Sequence, residues 1–205
     1  MTAKDPERTR KRIILAALRV FLARGYDGAS VNEIARSAKV TKGALYHHFD
    51  GKGHLFRETL RFTMGEMQKW SLEHFKRCRS SRSLLRTLFG SLGAMRDTFS
   101  RIVVGGRGRS RYTFLEILVS AARRDDAVRS EMGRIYDKTR SSIARELQHG
   151  QAAGEVRQDI DVHALAFTIN ALVEGAVLLS VIDETVDLDR VGRSMFTNMW
   201  KMIST

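Results

Sequence analysis

The chain has one cysteine and one proline in 205 residues. A lone thiol, Cys78, excludes an intramolecular disulfide and any zinc site built from several cysteines of one chain. With a single proline, at Pro6, little punctuates the long periodic stretches that follow, and β-branched runs are few. Both absences favour helix. No charged segment followed by an apolar one opens the sequence, so no signal peptide is expected. The longest apolar stretch, around Gly175 to Ile182, falls far short of the ~20 residues that cross a bilayer. A cytoplasmic protein without a membrane partner is the expectation.

What is present fits a globular fold with a real core: 43% hydrophobic and 28% charged residues. The length suits one medium domain or a small domain joined to a larger one. The formal net charge is +12, an excess that draws polyanions, either nucleic acid or an anionic membrane surface. The charge is uneven. Residues 1–60 carry a net +6 and residues 69–111 a net +9, whereas 112–205 carry −3. A basic front and an acidic back suit a molecule that turns one face to a polyanion.

The first helix has entry and exit signals. Asp5 can cap it, Pro6 fits its first position, and Gly25 offers a left-handed stop. Ile14, Ala17, Leu18, Phe21 and Leu22 form its apolar face. Ser30-x-x-Glu33 has the form of a capping box for a second helix that buries Val31, Ile34, Ala35 and Ala38. Lys39 and Val40 form a short turn. Thr41 caps a third helix, with Val40 and Leu45 spaced as a hydrophobic staple. Two short helices joined this tightly have helix-turn-helix spacing. In the third helix Leu45 and Phe49 point inward, leaving Lys42, Gly43, Ala44, Tyr46, His47 and His48 outward. Hydroxyl, imidazole and ammonium donors beside small residues suit phosphates and base edges.

From Arg10 to Phe56 the sequence resembles the DNA-binding domain of the tetracycline-repressor (TetR) family. The residues that carry the likeness are Ile14, Ala16-Ala17, Phe21, Gly25-Tyr26, Ser30-Val31, Ile34-Ala35, Ala38, Val40, Lys42-Gly43, Leu45-Tyr46, His48-Phe49, Lys52 and Leu55-Phe56. The resemblance implies that the third helix reads a major groove of double-stranded DNA. It implies phosphate contacts for Tyr46, His48 and Lys52, and a base or phosphate contact for Lys42. Thr41 and Ala44 would lie at the groove, and Asn32 near the backbone. Base discrimination then rests on Thr41, Lys42, Gly43, Ala44 and His47. Two positions depart from the family pattern. Lys39 stands where glycine is usual, at a cost of ~1 kcal/mol if the backbone there is left-handed. Gly53-His54 replaces a helix-favouring pair and weakens the start of the fourth helix.

Apolar periodicity predicts further helices from Lys52 to about Cys78, over Leu84 to Phe99, from Phe114 to Ala121, from Asp125 or Asp126 through Leu147, from Asp161, and over Leu188 to Ile203. The expected fold is therefore all-α with about nine helices: a helix-turn-helix domain over residues 1–52 and a larger helical domain over 53–205. The passage Gly150 to Asp161 resembles the linker before the last two helices of the same family. By that resemblance the last two helices pair with a second copy. Leu172, Gly175, Ala176, Leu179, Met195, Met199 and Trp200 are the candidates for this homodimer interface. A small-molecule effector entering the helical core would meet Met67, Leu88, Leu92, Met95, Phe99, Phe114, Leu118, Tyr136, Phe167 and Glu174, for each of which plain core packing is the alternative. Together these imply a ligand-responsive transcriptional regulator, a repressor by the family's habit.

Other function classes have weaker support. His47, His48 and His54, with Asp50, could be imagined around a metal. Adjacent histidines on a helix diverge by about 100°, and no third ligand is placed, so neither metal nor catalysis is expected. No cofactor is expected either. The glycine-rich stretch Val104 to Arg111 lacks the third glycine of a dinucleotide loop and has no Walker lysine. A solvated loop is expected there, with an auxiliary DNA contact or an acidic-ligand clamp as alternatives. The first helix has charge enough for a membrane surface, but its apolar face is modest and no lipidation signal accompanies it.

Overall fold

The computed structural model of the protein describes residues 5–75, 78–96 and 114–205, without the side chains of 67, 68 and 70–75. One isolated β-bridge joins Val156 and Ser204, residues 92–96 are helical, and nine further α-helices lie wholly within the described residues. In chain order these are α1 (Pro6–Gly28), α2 (Val31–Ser37), α3 (Lys42–His48), α4 (Lys52–Phe75), α5 (Ser81–Gly90), α6 (Phe114–Arg124), α7 (Asp126–Ala152), α8 (Val162–Ile182) and α9 (Leu188–Ile203).

Local chemistry sets most of these boundaries. Asp5 Oδ1 accepts from the Glu7 amide at 3.0 Å, with Pro6 at the first helical position. Gly25 (φ 69°, ψ 175°) kinks α1 in a conformation a side chain would strain, and one more turn carries the helix to Gly28. Ser80 and Ser83 cap α5 reciprocally, Asp161 caps α8 through the amides of His163 and Ala164, and Asp187 caps α9. Each device satisfies amide donors that the first helical turn leaves without partners.

By packing, the described residues fall into two units. The first comprises residues up to Lys69 together with Phe114 to Arg129. Its core joins Ile13, Ile14, Leu18 and Phe21 of α1 to Ile34 of α2, Leu45 of α3, Phe49, and Leu55 and Leu60 of α4, all 0–1% exposed. Phe56 meets Phe21 edge-on at 4.7 Å between centroids, and Tyr26 closes the aromatic cluster. Helix α6 belongs to this unit and packs against α1. The unit thus takes in more chain than residues 1–52.

The second unit holds the remaining described residues, from Trp70 to Arg96 and from Ser130 onward. Leu84, Leu85, Leu88 and Phe89 of α5 pack with Ile143 and Leu147 of α7, Ala166, Ile169 and Val173 of α8, and Leu188, Met199 and Ile203 of α9. Helices α5 and α9 cross closely. A Cβ placed on Gly192 would sit 1.9 Å from the Phe89 carbonyl oxygen.

Helix α8 differs from the sequence expectation in one respect. It is long and apolar enough to cross a membrane by length and composition, because isolated polar residues such as Thr168, Asn170 and Glu174 interrupt its apolar runs without lowering the average far. Val162, Ala166, Ile169, Val173, Ala176 and Ser180 form its buried stripe. The remainder of the helix keeps an apolar surface of its own.

Candidate nucleic-acid interface

The turn between α2 and α3 is a Schellman motif. The Lys39 amide donates to Arg36 O (3.0 Å) and the Val40 amide to Ala35 O (3.0 Å), with Lys39 in the left-handed region at φ 52°. Lys39 is the one described non-glycine residue with positive φ, which fits the cost anticipated from the sequence. Lys39→Gly is expected to stabilise the reading head by about 1 kcal/mol. Chemical denaturation of wild type and variant checks this; no gain would mean that the lysine side chain offsets its backbone strain.

Thr41 Oγ1 then accepts from the Ala44 amide at 3.1 Å and opens α3. Leu45 and Phe49 are fully buried, and Phe49 lies beside Arg10 of α1 and His54 of α4. The opposite face is open: Lys42, Gly43 and His47 are exposed, Tyr46 is 46% exposed, and Ala44 and His48 are half-buried. Lys42 Nζ lies 5.8 Å from the Tyr46 ring centroid, so ammonium and phenol occupy one patch. No atom lies within 4 Å of a Cβ built on Gly43, so a backbone or base edge can approach there closely. Asn32, in the first turn of α2, is exposed.

Lys52 is less free than sequence suggests. Its Nζ donates to Asp27 O at 3.2 Å and lies 4.5 Å from the Tyr26 ring centroid. It therefore braces the α1–α2 connection. His54 Nδ1 accepts from the Asp50 amide at 3.1 Å and fixes the turn into α4. The rings of His47 and His48 are 5.4 Å apart and nearly perpendicular. Among the described residues no three His, Cys, Asp or Glu side chains gather where they could hold a metal ion.

Two ion pairs in this unit escaped sequence reasoning. Arg124, at the end of α6, donates to Asp27 Oδ1, and Arg57 of α4 donates to Asp125 Oδ2 at 3.1 Å. The Arg124 hydrogen bond holds the Asp27 carboxyl below its ordinary value. Burial pushes Asp125 up, but donors from the Val128 amide, Arg57 and the Ala127 amide together hold it below. Partners 97 and 68 positions apart leave no periodic trace in a sequence.

The candidate effector residues divide. Phe99, the side chain of Met67 and the loop Val104 to Arg111 lie outside the described residues. Leu88 and Leu92 are fully enclosed in the second core, and Met95 packs against it. Phe114 and Leu118 belong to the first unit, Leu118 buried and Phe114 half-buried. Phe167 is 62% exposed. Tyr136 and Glu174 come together: the phenol donates to Glu174 Oε1 at 3.2 Å. Burial raises both groups above their ordinary values.

The dimer candidates divide as well. Ala176 and Met199 are buried in their own chain, and Leu172, Met195 and Trp200 pack partly against the same core. Leu179 is 59% exposed, and Gly175 has open space beside it. Phe167 and Ile182 (74% exposed), which were not among the interface candidates, extend this open surface of α8.

An exposed, basic and aromatic helix presented by a helix-turn-helix on an all-α frame defines a DNA-binding protein. The family model described as bacterial regulatory proteins, tetR family, matches residues 13–59, and that of the tetracyclin repressor-like C-terminal domain matches residues 113–195. The transcriptional regulator SrpR of Pseudomonas putida is 29% identical over 175 residues, 85% of this chain and 76% of that protein. The transcriptional repressor DhaR of a Mycobacterium species is 26% identical, covering 82% of this chain and 80% of its own. A TetR-family regulator from Cytophaga hutchinsonii superposes with a TM-score of 0.78 at 23% identity, over 100% of this chain and 99% of that one. The chain belongs to the TetR family of DNA-binding transcriptional regulators. Such regulators bind DNA operators, usually as dimers that answer to small molecules.

Proposed function

We propose that the protein is a repressor that binds a pseudo-palindromic operator as a homodimer and lets go when a small molecule enters its second unit. The observation that carries this reading is the open face of α3, on which Lys42, Tyr46 and His47 stand out around the bare Gly43. Tyr46 and His48 grip phosphate. Lys42 reaches a base or phosphate, and Thr41, Gly43, Ala44 and His47 meet base edges. Asn32 donates to the backbone from α2. Lys52 acts first by bracing the α1–α2 connection and adds its charge to the phosphate field. Residues 1–52 carry the reading function and 53–205 effector binding and dimerisation, in the cytoplasm.

The part of the open face of α8 around Leu179 and Ile182 is the surface for the second copy. It supports a bundle of α8 and α9 with their symmetry mates, which sets two α3 helices about 34–36 Å apart on one side of the duplex. Leu179→Arg with Ile182→Arg is expected to give a folded monomer that binds operator at least ~100-fold more weakly, because one head forfeits the effective concentration the other supplies. Light scattering and anisotropy measure both; a dimer with full affinity places the interface elsewhere.

Effector release needs only a modest coupling, roughly ten- to hundredfold between the two states. The pairs Arg124–Asp27 and Arg57–Asp125 fasten α6 and the start of α7 to the reading head. Arg57→Ala with Arg124→Ala is expected to retain operator binding within a few-fold and to blunt ligand release. Anisotropy titrations against a small-molecule panel test both this and the function. A protein whose DNA no compound displaces is not ligand-responsive.

A further inference from the structure

Helix α8 has one carboxylate among 21 residues, Glu174. It is half-buried, and the hydrogen bond from Tyr136 is the only side-chain partner it has among the described residues. Among the described residues no lysine or arginine pairs with this group; burial raises its titration and the Tyr136 hydroxyl opposes that. A carboxylate taken partly out of water without a cation is costly, and one hydroxyl offsets little of that cost. Its neighbours along the helix are mostly apolar, with the half-buried Asn170 one turn before it. Phe167 and Val181 stand seven residues to either side of Glu174, on its own side of the helix, and both are exposed, with Leu178 one turn on half-buried. Beside it, Gly175 leaves open space. The phenol of Tyr136 adds an aromatic wall.

We propose that Glu174 and Tyr136 form the recognition point for a lipophilic cation, such as a quaternary ammonium or phosphonium compound, in which the positive charge meets the Glu174 carboxylate and the apolar body lies along Phe167, Leu178 and Val181. This rests on the ligand-responsive reading above and names the chemical class of the ligand. The cation supplies the charge that the fold withholds from Glu174, while the ring of Tyr136 offers its face to the same charge. Neutral or anionic molecules of the same shape lack that gain, and an anion meets repulsion.

The test uses the full-length protein and four probes: tetraphenylphosphonium and its anionic shape match tetraphenylborate, and the smaller pair benzyltrimethylammonium and benzenesulfonate. Calorimetric titration should show at least one cation binding ten-fold or more tightly than its anionic counterpart. Glu174→Gln should weaken that cation at least ten-fold and Tyr136→Phe several-fold, with circular dichroism and ligand-free operator binding unchanged in both. Equal or tighter binding of the anions, no binding by either cation, or cation affinity untouched in Glu174→Gln overturns the proposal. Displacement of operator DNA is read separately. Cation binding that depends on Glu174 but leaves the DNA bound upholds the site and refutes its role as an effector site. Release by neutral or anionic compounds alone refutes the cation site and leaves the ligand-responsive reading intact.

Discussion

The double variant Lys42→Ala, Tyr46→Ala is expected to lose operator affinity by about a thousandfold or more while keeping wild-type helicity and melting behaviour. Both side chains project from the open face of α3, and neither contributes to the buried core, so the fold has little to lose. A charge-assisted or phenolic hydrogen bond to phosphate or base contributes on the order of 1–2 kcal/mol, and a two-fold dimer doubles each loss. Four such contacts amount to roughly 4–8 kcal/mol, and each 1.4 kcal/mol is a factor of ten. The companion variant Leu45→Ala empties a fully buried site under the same helix and should lose affinity by unfolding the head, a difference circular dichroism separates. Anisotropy with a selected operator measures the first. A double variant within tenfold of wild type would move the reading surface away from α3.

The second large effect concerns the crossing of α5 and α9. A methyl group on Gly192 would lie 1.9 Å from the Phe89 carbonyl oxygen and 2.9 Å from its carbonyl carbon. Backbone cannot swing aside as a flexible side chain can, so Gly192→Ala must prise the two helices apart through a core that includes Phe89 and Leu92, both fully buried. Overpacking of this kind costs about 3 kcal/mol, or about 10 °C in melting temperature for a chain of this size. Gly133→Ala is the contrast. Gly133 lies within α7, is exposed, and has no atom within 4 Å of an added Cβ. There the same methyl group should stabilise by about 0.5–1 kcal/mol through helix propensity. Scanning calorimetry of the two variants should move in opposite directions; a Gly192→Ala protein as stable as wild type would contradict the close crossing.

Much of this architecture was legible before the structure because local chemistry writes it. Asp5, Ser30 and Thr41 cap the helices they precede, and α9 spans Leu188 to Ile203 as its apolar spacing predicts. The left-handed conformation of Lys39 was raised as a condition by the resemblance to a family that has glycine at that position. What could not be read has a different physical origin. The pairings of Asp27 with Arg124 and of Arg57 with Asp125 join residues far apart in sequence. The engagement of Lys52 by Asp27 and Tyr26 is likewise tertiary, as is the allotment of α6 to the reading head.

On α8 the difficulty was of another kind. When almost every residue is apolar, periodicity no longer distinguishes the face covered by the chain itself from the face left for a partner. Ala176, a candidate for the interface, is buried in the core of its own chain, and Phe167, a candidate for the pocket, stands exposed. The buried stripe through Val162, Ala166, Ile169, Val173, Ala176 and Ser180 divides the two faces once it is known. Glu174 sits off that stripe, where the lack of a cation beside it among the described residues could be noticed only after its surroundings were visible.

Selection of bound fragments from random and genomic DNA at physiological salt tests the central claim most directly, because charge alone gives binding without sequence preference. The expected result is a single pseudo-palindromic motif whose half-site centres lie one helical turn or a multiple of it apart, recovered by the wild type and lost in the Lys42→Ala, Tyr46→Ala variant. Recovery of fragments with no common motif, or of the same motif by the double variant, would contradict it.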